Sequence, residues 1–250
     1  MISSPLGSID SVARAAPIGS AGCSAAGVLC QACGLGVAGA DGSTGGIRSG
    51  PGVPVHDAAG VLVRLRAGQV LYGTGQRGDA VFVLHRGLVK EMVAAGDCER
   101  VVRLVRAPGV TGLAALLGEP HRQSATVMGD GHACRVPVRR LRDRIAVDPR
   151  GSLELMAVWQ AALDERDYVL ARFASGPARA RLARYVLMLV EALGAEARLR
   201  RHEVAQLIGV TPVSVTRLIA EFKRDGLMQE GGMRVTGCDR QRLIALARFP

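Results

Sequence analysis

The chain has 250 residues, 48% hydrophobic and 22% charged, a composition that suits a globular protein with room for two small domains and excludes a disordered or fibrous one. No uninterrupted apolar run approaches the ~20 residues of a membrane-spanning helix, and no basic start with an apolar stretch and cleavage site is present, so a cytoplasmic protein with no membrane partner is expected. Lys and Arg number 32 against 22 Asp and Glu, a net charge of +10, and the arginines crowd residues 172 to 224 while residues 1 to 47 hold only Arg14, which points to a polyanionic partner at the C-terminal end.

Residues 1–54 are rich in Gly, Ala and Ser, interrupted by Pro5, Pro17, Pro51 and Pro54, and have neither helical nor strand period. They read as a flexible segment whose one ordering device is three cysteines, Cys23, Cys30 and Cys33. Cys98, Cys134 and Cys238 are scattered further along. A cytosolic thiol pool keeps disulfides reduced, so metal binding or redox chemistry is the default reading of the six.

From about residue 60 the texture changes to short β-branched runs between turns: Val61 to Leu65, Val70 to Tyr72, Ala80 to Leu84, Leu88 to Ala94, Glu99 to Val105 and Ala125 to Val138. Turns are expected at Arg86-Gly87 and Gly96-Asp97. Strands of this length and spacing predict a small antiparallel β-barrel or jelly roll over 55–148, hence an α+β protein. After Asp148-Pro149 the period becomes helical, and Met156, Trp159, Leu163, Arg166, Leu170 and Phe173 recur at alternating intervals of three and four. That row over 149–176 is read as a dimerisation seam, because a long helix between two domains has little core of its own.

The last part, 177–250, contains helices over Ala178–Leu193 and Arg201–Ile208, a Gly209 turn, a helix to about Arg224, a Met233 to Thr236 strand and a final helix from Arg240. Val204, Leu207, Ile208, Val215, Leu218 and Ile219 supply apolar faces, Ala205 a close approach, Thr211 a cap and Pro212 an N1 residue, the pattern of a winged helix-turn-helix. Arg217 is the candidate for a bidentate contact to guanine. Val213, Ser214 and Thr216 lie beside it at the expected major-groove surface, and Lys223 is placed to meet phosphate.

A turn-rich barrel, a long helix and a terminal winged helix-turn-helix, in that order, resemble the Crp/Fnr superfamily of bacterial regulators from about residue 60 onward. The run Gly209-Val210-Thr211-Pro212-Val213-Ser214-Val215-Thr216-Arg217 is similar to the family's recognition segment, and Arg217 matches its guanine-reading arginine. Val213 stands where the family usually has a glutamate that accepts from cytosine, so the usual TTGA-type half-site is not carried over. The resemblance implies a cyclic-nucleotide-binding-like sensor domain, a homodimer on an inverted repeat of double-stranded DNA, and RNA polymerase as a partner. Gly112-Leu113-Ala114 and Gln123-Ser124-Ala125 align with the phosphate cassette but lack its glutamate and arginine, so no cyclic nucleotide is expected.

Leu29-Cys30-Gln31-Ala32-Cys33 and Ala133-Cys134-Arg135-Val136-Pro137 resemble cluster-ligating segments of the family's FNR branch. That resemblance implies a [4Fe-4S] cluster held by Cys23, Cys30, Cys33 and Cys134, which would sense oxygen or redox state, with Cys98 in reserve and Cys238 read as a buried small hydrophobe. Glu165 matches an acid on the branch's dimer helix. A Cys-x-x-Cys fits zinc or a dithiol switch as well, and a haem-dependent regulator of the same family stays open. An enzyme is excluded from the expectations, since no nucleophile-base pair, P-loop or dinucleotide fingerprint occurs.

Overall fold

The computed structural model describes residues 60–248 apart from Asp97 and Asp148. Cys23, Cys30 and Cys33 lie outside the described residues. Among the described residues six strands, β1 (Val61–Leu65), β2 (Val70–Tyr72), β3 (Ala80–Ala95), β4 (Cys98–Arg106), β5 (Gly109–Thr111) and β6 (Ser124–Pro137), form one antiparallel sheet. Its main path runs β1-β6-β3-β4, with β2 on β6 and β5 on β3. The sheet curls without closing, because the end strands β1 and β4 do not pair with each other. It is therefore an open, jelly-roll-like sheet rather than a closed barrel.

The turn expected at Arg86-Gly87 is a bulge inside one long strand. Gly87 takes φ +111° as the register between β3 and β6 shifts on either side of Arg86. Opposite it, a Cβ on Gly131 would lie 2.0 Å from the Arg86 carbonyl oxygen, so two backbones touch there and only glycine fits.

Strand β3 alternates its side chains between two faces on either side of this bulge, and the bulge inverts the parity from one half to the other. Leu84 and Val89 join Leu65, Tyr72, Val105, Ala125 and Val127 in the interior of the sheet. Leu88 and Met92 point the other way, into a larger core shared with Val101, Leu104 and Met128 of the sheet and with the C-terminal helices. His121 is buried in the interior and stacks on Tyr72 with ring centroids 3.9 Å apart. Burial lowers its pKa, and the charge of Glu91 opposes that only in part. An imidazole kept neutral by the fold contributes stability that is complete above the unfolded pKa of about 6.5 and is lost as the pH falls through it, since the unfolded chain then takes up a proton that the folded chain resists. The thermal midpoint is thus expected to drop more steeply between about pH 7 and about pH 5 in the wild type than in His121→Gln, and parallel slopes would contradict this.

Helix α1 (Val138–Val147) follows β6 directly, and α2 (Pro149–Phe173) is the long helix. The heptad-like row splits between two of its faces. Phe173 is fully buried among the chain's own core residues, packed edge-on to Tyr168 and Tyr185 at 6.0 and 6.5 Å, while Trp159 lies against the sheet core with Val158 and Ala162. Arg166 approaches Glu91 to 3.7 Å. Met156, Leu163 and Leu170 are exposed together with Leu153, so the free apolar stripe is Leu153, Met156, Leu163 and Leu170.

Beneath α2 the sheet interior contains a buried charge network. Arg103 donates to Glu91 Oε1 through Nη1 (2.9 Å), to Glu165 Oε2 through Nε (2.6 Å) and to the Val110 carbonyl through Nη2 (2.7 Å). Glu91 Oε1 also accepts from the hydroxyls of Thr111 (2.7 Å) and Tyr72 (3.1 Å). Every hydrogen-bonding nitrogen of Arg103 is thereby used, the condition under which charge survives burial. Burial pushes the Glu165 carboxyl up, and the neighbouring Arg103 works against that rise.

Candidate nucleic-acid interface

The C-terminal part consists of α3 (Ala178–Leu193), α4 (Arg201–Ile208), α5 (Pro212–Arg224), a hairpin of β7 (Met228–Gly231) and β8 (Arg234–Cys238), and α6 (Arg240–Ala247). Helix α4 ends at Gly209, whose φ of +68° is the left-handed conformation that glycine adopts without strain. Thr211 then caps α5, its Oγ1 accepting from Ser214 N at 3.2 Å, and Pro212 fills the first turn where no amide hydrogen is needed. Val215, Ile219 and Phe222 are buried and pin one face of α5 to α4 and α3. The opposite face is left to solvent.

On that face the sequence candidates come together. Thr211, Val213, Thr216 and Arg217 are exposed and Ser214 is half-buried. Thr216 donates its hydroxyl to the Pro212 carbonyl (3.0 Å), leaving oxygen lone pairs outward, and Ser214 Oγ lies 3.0 Å from Thr211 Oγ1. Among the described residues the Arg217 guanidinium has no ion-pair or hydrogen-bond partner. Lys223 is drawn to Glu230 of the hairpin at 3.8 Å, and Glu230 is held in turn by Arg201 (2.5 and 2.9 Å). Arg179 of α3 holds the far end of α5 through Glu221 (3.2 Å) and Asp225 (2.6 Å) and sits over the Phe222 ring. Sequence reasoning missed this clamp, which appears only when Arg179 and Glu221 are brought together across 42 positions.

A second buried ion pair orients this unit on the sheet. Lys90 of β3 reaches across to Glu203 of α4 at 3.4 Å, with side chains 4% and 3% exposed, and donates to Gln206 Oε1 at 3.1 Å. Arg200 approaches the same Glu203 carboxylate at 3.4 Å. Ion pair and apolar contacts together bind the helix-turn-helix to the sheet while α5 keeps its outer face free.

The described cysteines separate. Cys134 is fully buried on β6 between β1 and β3, with His85 Nε2 3.2 Å from its sulfur. Cys98 is exposed at the tip of the β3–β4 hairpin, its thiol donating to the Ala95 carbonyl at 3.2 Å. Cys134 pairs with Val83 and Cys98 with Ala95, twelve residues apart along β3, or roughly 40 Å at the strand rise. Cys98 therefore cannot share a small cluster with Cys134. Cys238 is half-buried at the edge of the core rather than fully enclosed.

Residues 62–148 match the family described as cyclic nucleotide-binding domain, and residues 180–246 match the Crp-like helix-turn-helix domain. The transcriptional activator protein FnrA of Stutzerimonas stutzeri is 22% identical over 192 residues, covering 73% of this chain and 79% of its own. The CRP-like cAMP-activated global transcriptional regulator of Mycobacterium tuberculosis is 26% identical over 196 residues, covering 72% and 85%. A solved CRP-family transcriptional regulator from Thermus thermophilus has the same fold, with a TM-score of 0.65 at 22% identity over 74% of this chain and 96% of that one. No helix among the described residues is long and apolar enough to cross a membrane. With a sensor-type sheet and a Crp-like helix-turn-helix in one chain, and regulators rather than enzymes as its relatives, the protein belongs to the Crp/Fnr family of DNA-binding transcription regulators.

Proposed function

We propose that the protein acts in the cytoplasm as a homodimer that reads an inverted repeat through α5, contacts RNA polymerase, and responds to oxygen or redox state through a [4Fe-4S] cluster. The observation that carries the DNA reading is Arg217, exposed and unpaired among the described residues on a helix whose other face is locked. The stripe Leu153, Met156, Leu163 and Leu170 supports pairing along α2, since four large apolar side chains in one row are costly to leave in water. A two-fold dimer sets half-sites about one helical turn apart.

Arg217→Ala is expected to weaken binding to the cognate site by about 1–3 kcal/mol, measured at fixed ionic strength, while non-specific binding and its salt slope stay nearly unchanged. Equal losses on cognate and scrambled DNA would reassign Arg217 to the phosphate backbone.

The sensor reading rests on cysteine chemistry. A thiolate at Cys134 would accept from His85, and sulfur is the donor that iron–sulfur clusters take. Among the described residues no group of three or more His, Cys, Asp or Glu is arranged to hold a metal, so the remaining ligands would be Cys23, Cys30 and Cys33. Such a cluster supplies an oxidant-reactive centre. Gln123 is neutral where the phosphate cassette needs an arginine, which supports a regulator that does not take a cyclic nucleotide.

Protein purified without oxygen is expected to be brown, with about four irons per chain, in the wild type and Cys98→Ser, and colourless in Cys30→Ser and Cys134→Ser. An iron-free wild type would instead leave Cys30 and Cys33 as a dithiol switch.

A further inference from the structure

Between the sheet and the β7–β8 hairpin lies a crevice of about 290 Å³. Gly129 and Asp130 of β6 line one side, and Glu196, Arg198, Arg200 and Arg234 line the other. Most of these charges are committed. Arg234 pairs with Glu196 at 3.1 Å, Asp130 Oδ1 accepts from the Ala67 amide at 2.8 Å, and Arg200 contributes to Glu203, which Lys90 also neutralises. Arg198 is the exception: it is half-buried, and among the described residues its guanidinium has neither an ion-pair nor a hydrogen-bond partner. Three cations thus surround a concave space whose two acids do not balance them. The space is at the small end of ligand sites, which hold roughly 300–1,000 Å³.

We propose that this crevice binds a small phosphate-bearing ligand, with Arg198 and Arg200 taking the phosphate. A guanidinium fork matches phosphate oxygens in pairs, and an unpaired one inside a crevice is already partly desolvated. The walls come from the sheet on one side and the helix-turn-helix unit on the other, so occupation stabilises their packing in proportion to ligand concentration over Kd. The site is separate from the cassette-like Gly112 to Ala125 stretch and does not depend on the cluster reading. It adds a second, anionic input at the place where sensor and reader meet.

Titration calorimetry and thermal unfolding of the full chain with inorganic pyrophosphate and with ADP, at ionic strength held constant with sodium chloride, test this. Each probe is expected to raise the midpoint of the wild type, and affinity is expected to fall about tenfold or more in Arg198→Ala and in Arg200→Ala, with the ligand-free midpoint of Arg198→Ala unchanged. Tighter ADP than pyrophosphate identifies a phosphate ester as the ligand, and equal affinities identify free phosphate. The proposal is overturned if neither probe gives heat or a shift, or if Arg198→Ala binds as the wild type does. It is overturned too if the variant loses only DNA affinity, with a salt slope lower by about one, because Arg198 would then serve the DNA backbone.

Discussion

Replacing Arg103 by Met is expected to destabilise the protein by about 3–5 kcal/mol, read from the urea midpoint at unchanged m-value. The arginine is 5% exposed and binds Glu91, Glu165 and the Val110 carbonyl at once. Without it Glu91, 4% exposed, keeps two hydroxyl donors and a distant Arg166 but no adjacent counter-charge. The transfer cost of that charge dominates over the lost hydrogen bonds, because a charge left in a low-dielectric interior costs more than a typical bond contributes. Arg103→Met combined with Glu91→Leu is expected to recover much of the loss. A single-variant cost below about 1 kcal/mol would mean that water reaches the network and screens it.

The second large effect concerns the junction. Glu203→Ala is expected to cost about 3 kcal/mol, since it leaves the Lys90 ammonium in the core with Gln206 as its main partner. This loss has a signature that Arg103→Met lacks. The pair joins the sheet to the helix-turn-helix, so unfolding followed by separate probes of the two parts is expected to split into two transitions. Lys90→Met with Glu203→Leu is expected to restore one transition, because the surrounding Leu88, Met92, Leu104 and Leu207 already make the junction apolar. One cooperative transition in Glu203→Ala would show that apolar burial alone couples the two parts.

Much of this fold is legible in residue types wherever a local rule decides the outcome. Helices α3 and α4 follow their apolar period and end at Gly194 and Gly209, and Thr211 with Pro212 announces the start of α5. The single strand β3 was not legible, because Gly87 reads as a turn until the opposite Gly131 is known to press against it. Helix α1 was missed since Arg139, Arg140, Arg142 and Arg144 look like a solvated loop, and β7 because Met228–Gly231 is too short to carry a period. The row along α2 merged two faces, as intervals of three and four fit both a seam and a core stripe until the neighbours are placed. Of the candidate site, the α5 residues were readable from their grammar. The Arg103 network was not, since its partners lie 12 and 62 residues away. A weak signal existed: Glu91 and Arg103 share the inward parity of Val89 and Val105, and charge at an inward position asks for a partner.

Lys90 and Glu91 are consecutive, and the pleat sends them to opposite faces of β3. One grips the DNA-reading unit through Glu203, while the other grips the long helix through Arg103 and Glu165. A single peptide group is therefore the fulcrum common to both, with no intervening residue in which a displacement can be absorbed. Whatever tilts the long helix against the sheet pulls on the same few ångströms of backbone that aim α5, so the two ends of the molecule share one mechanical address.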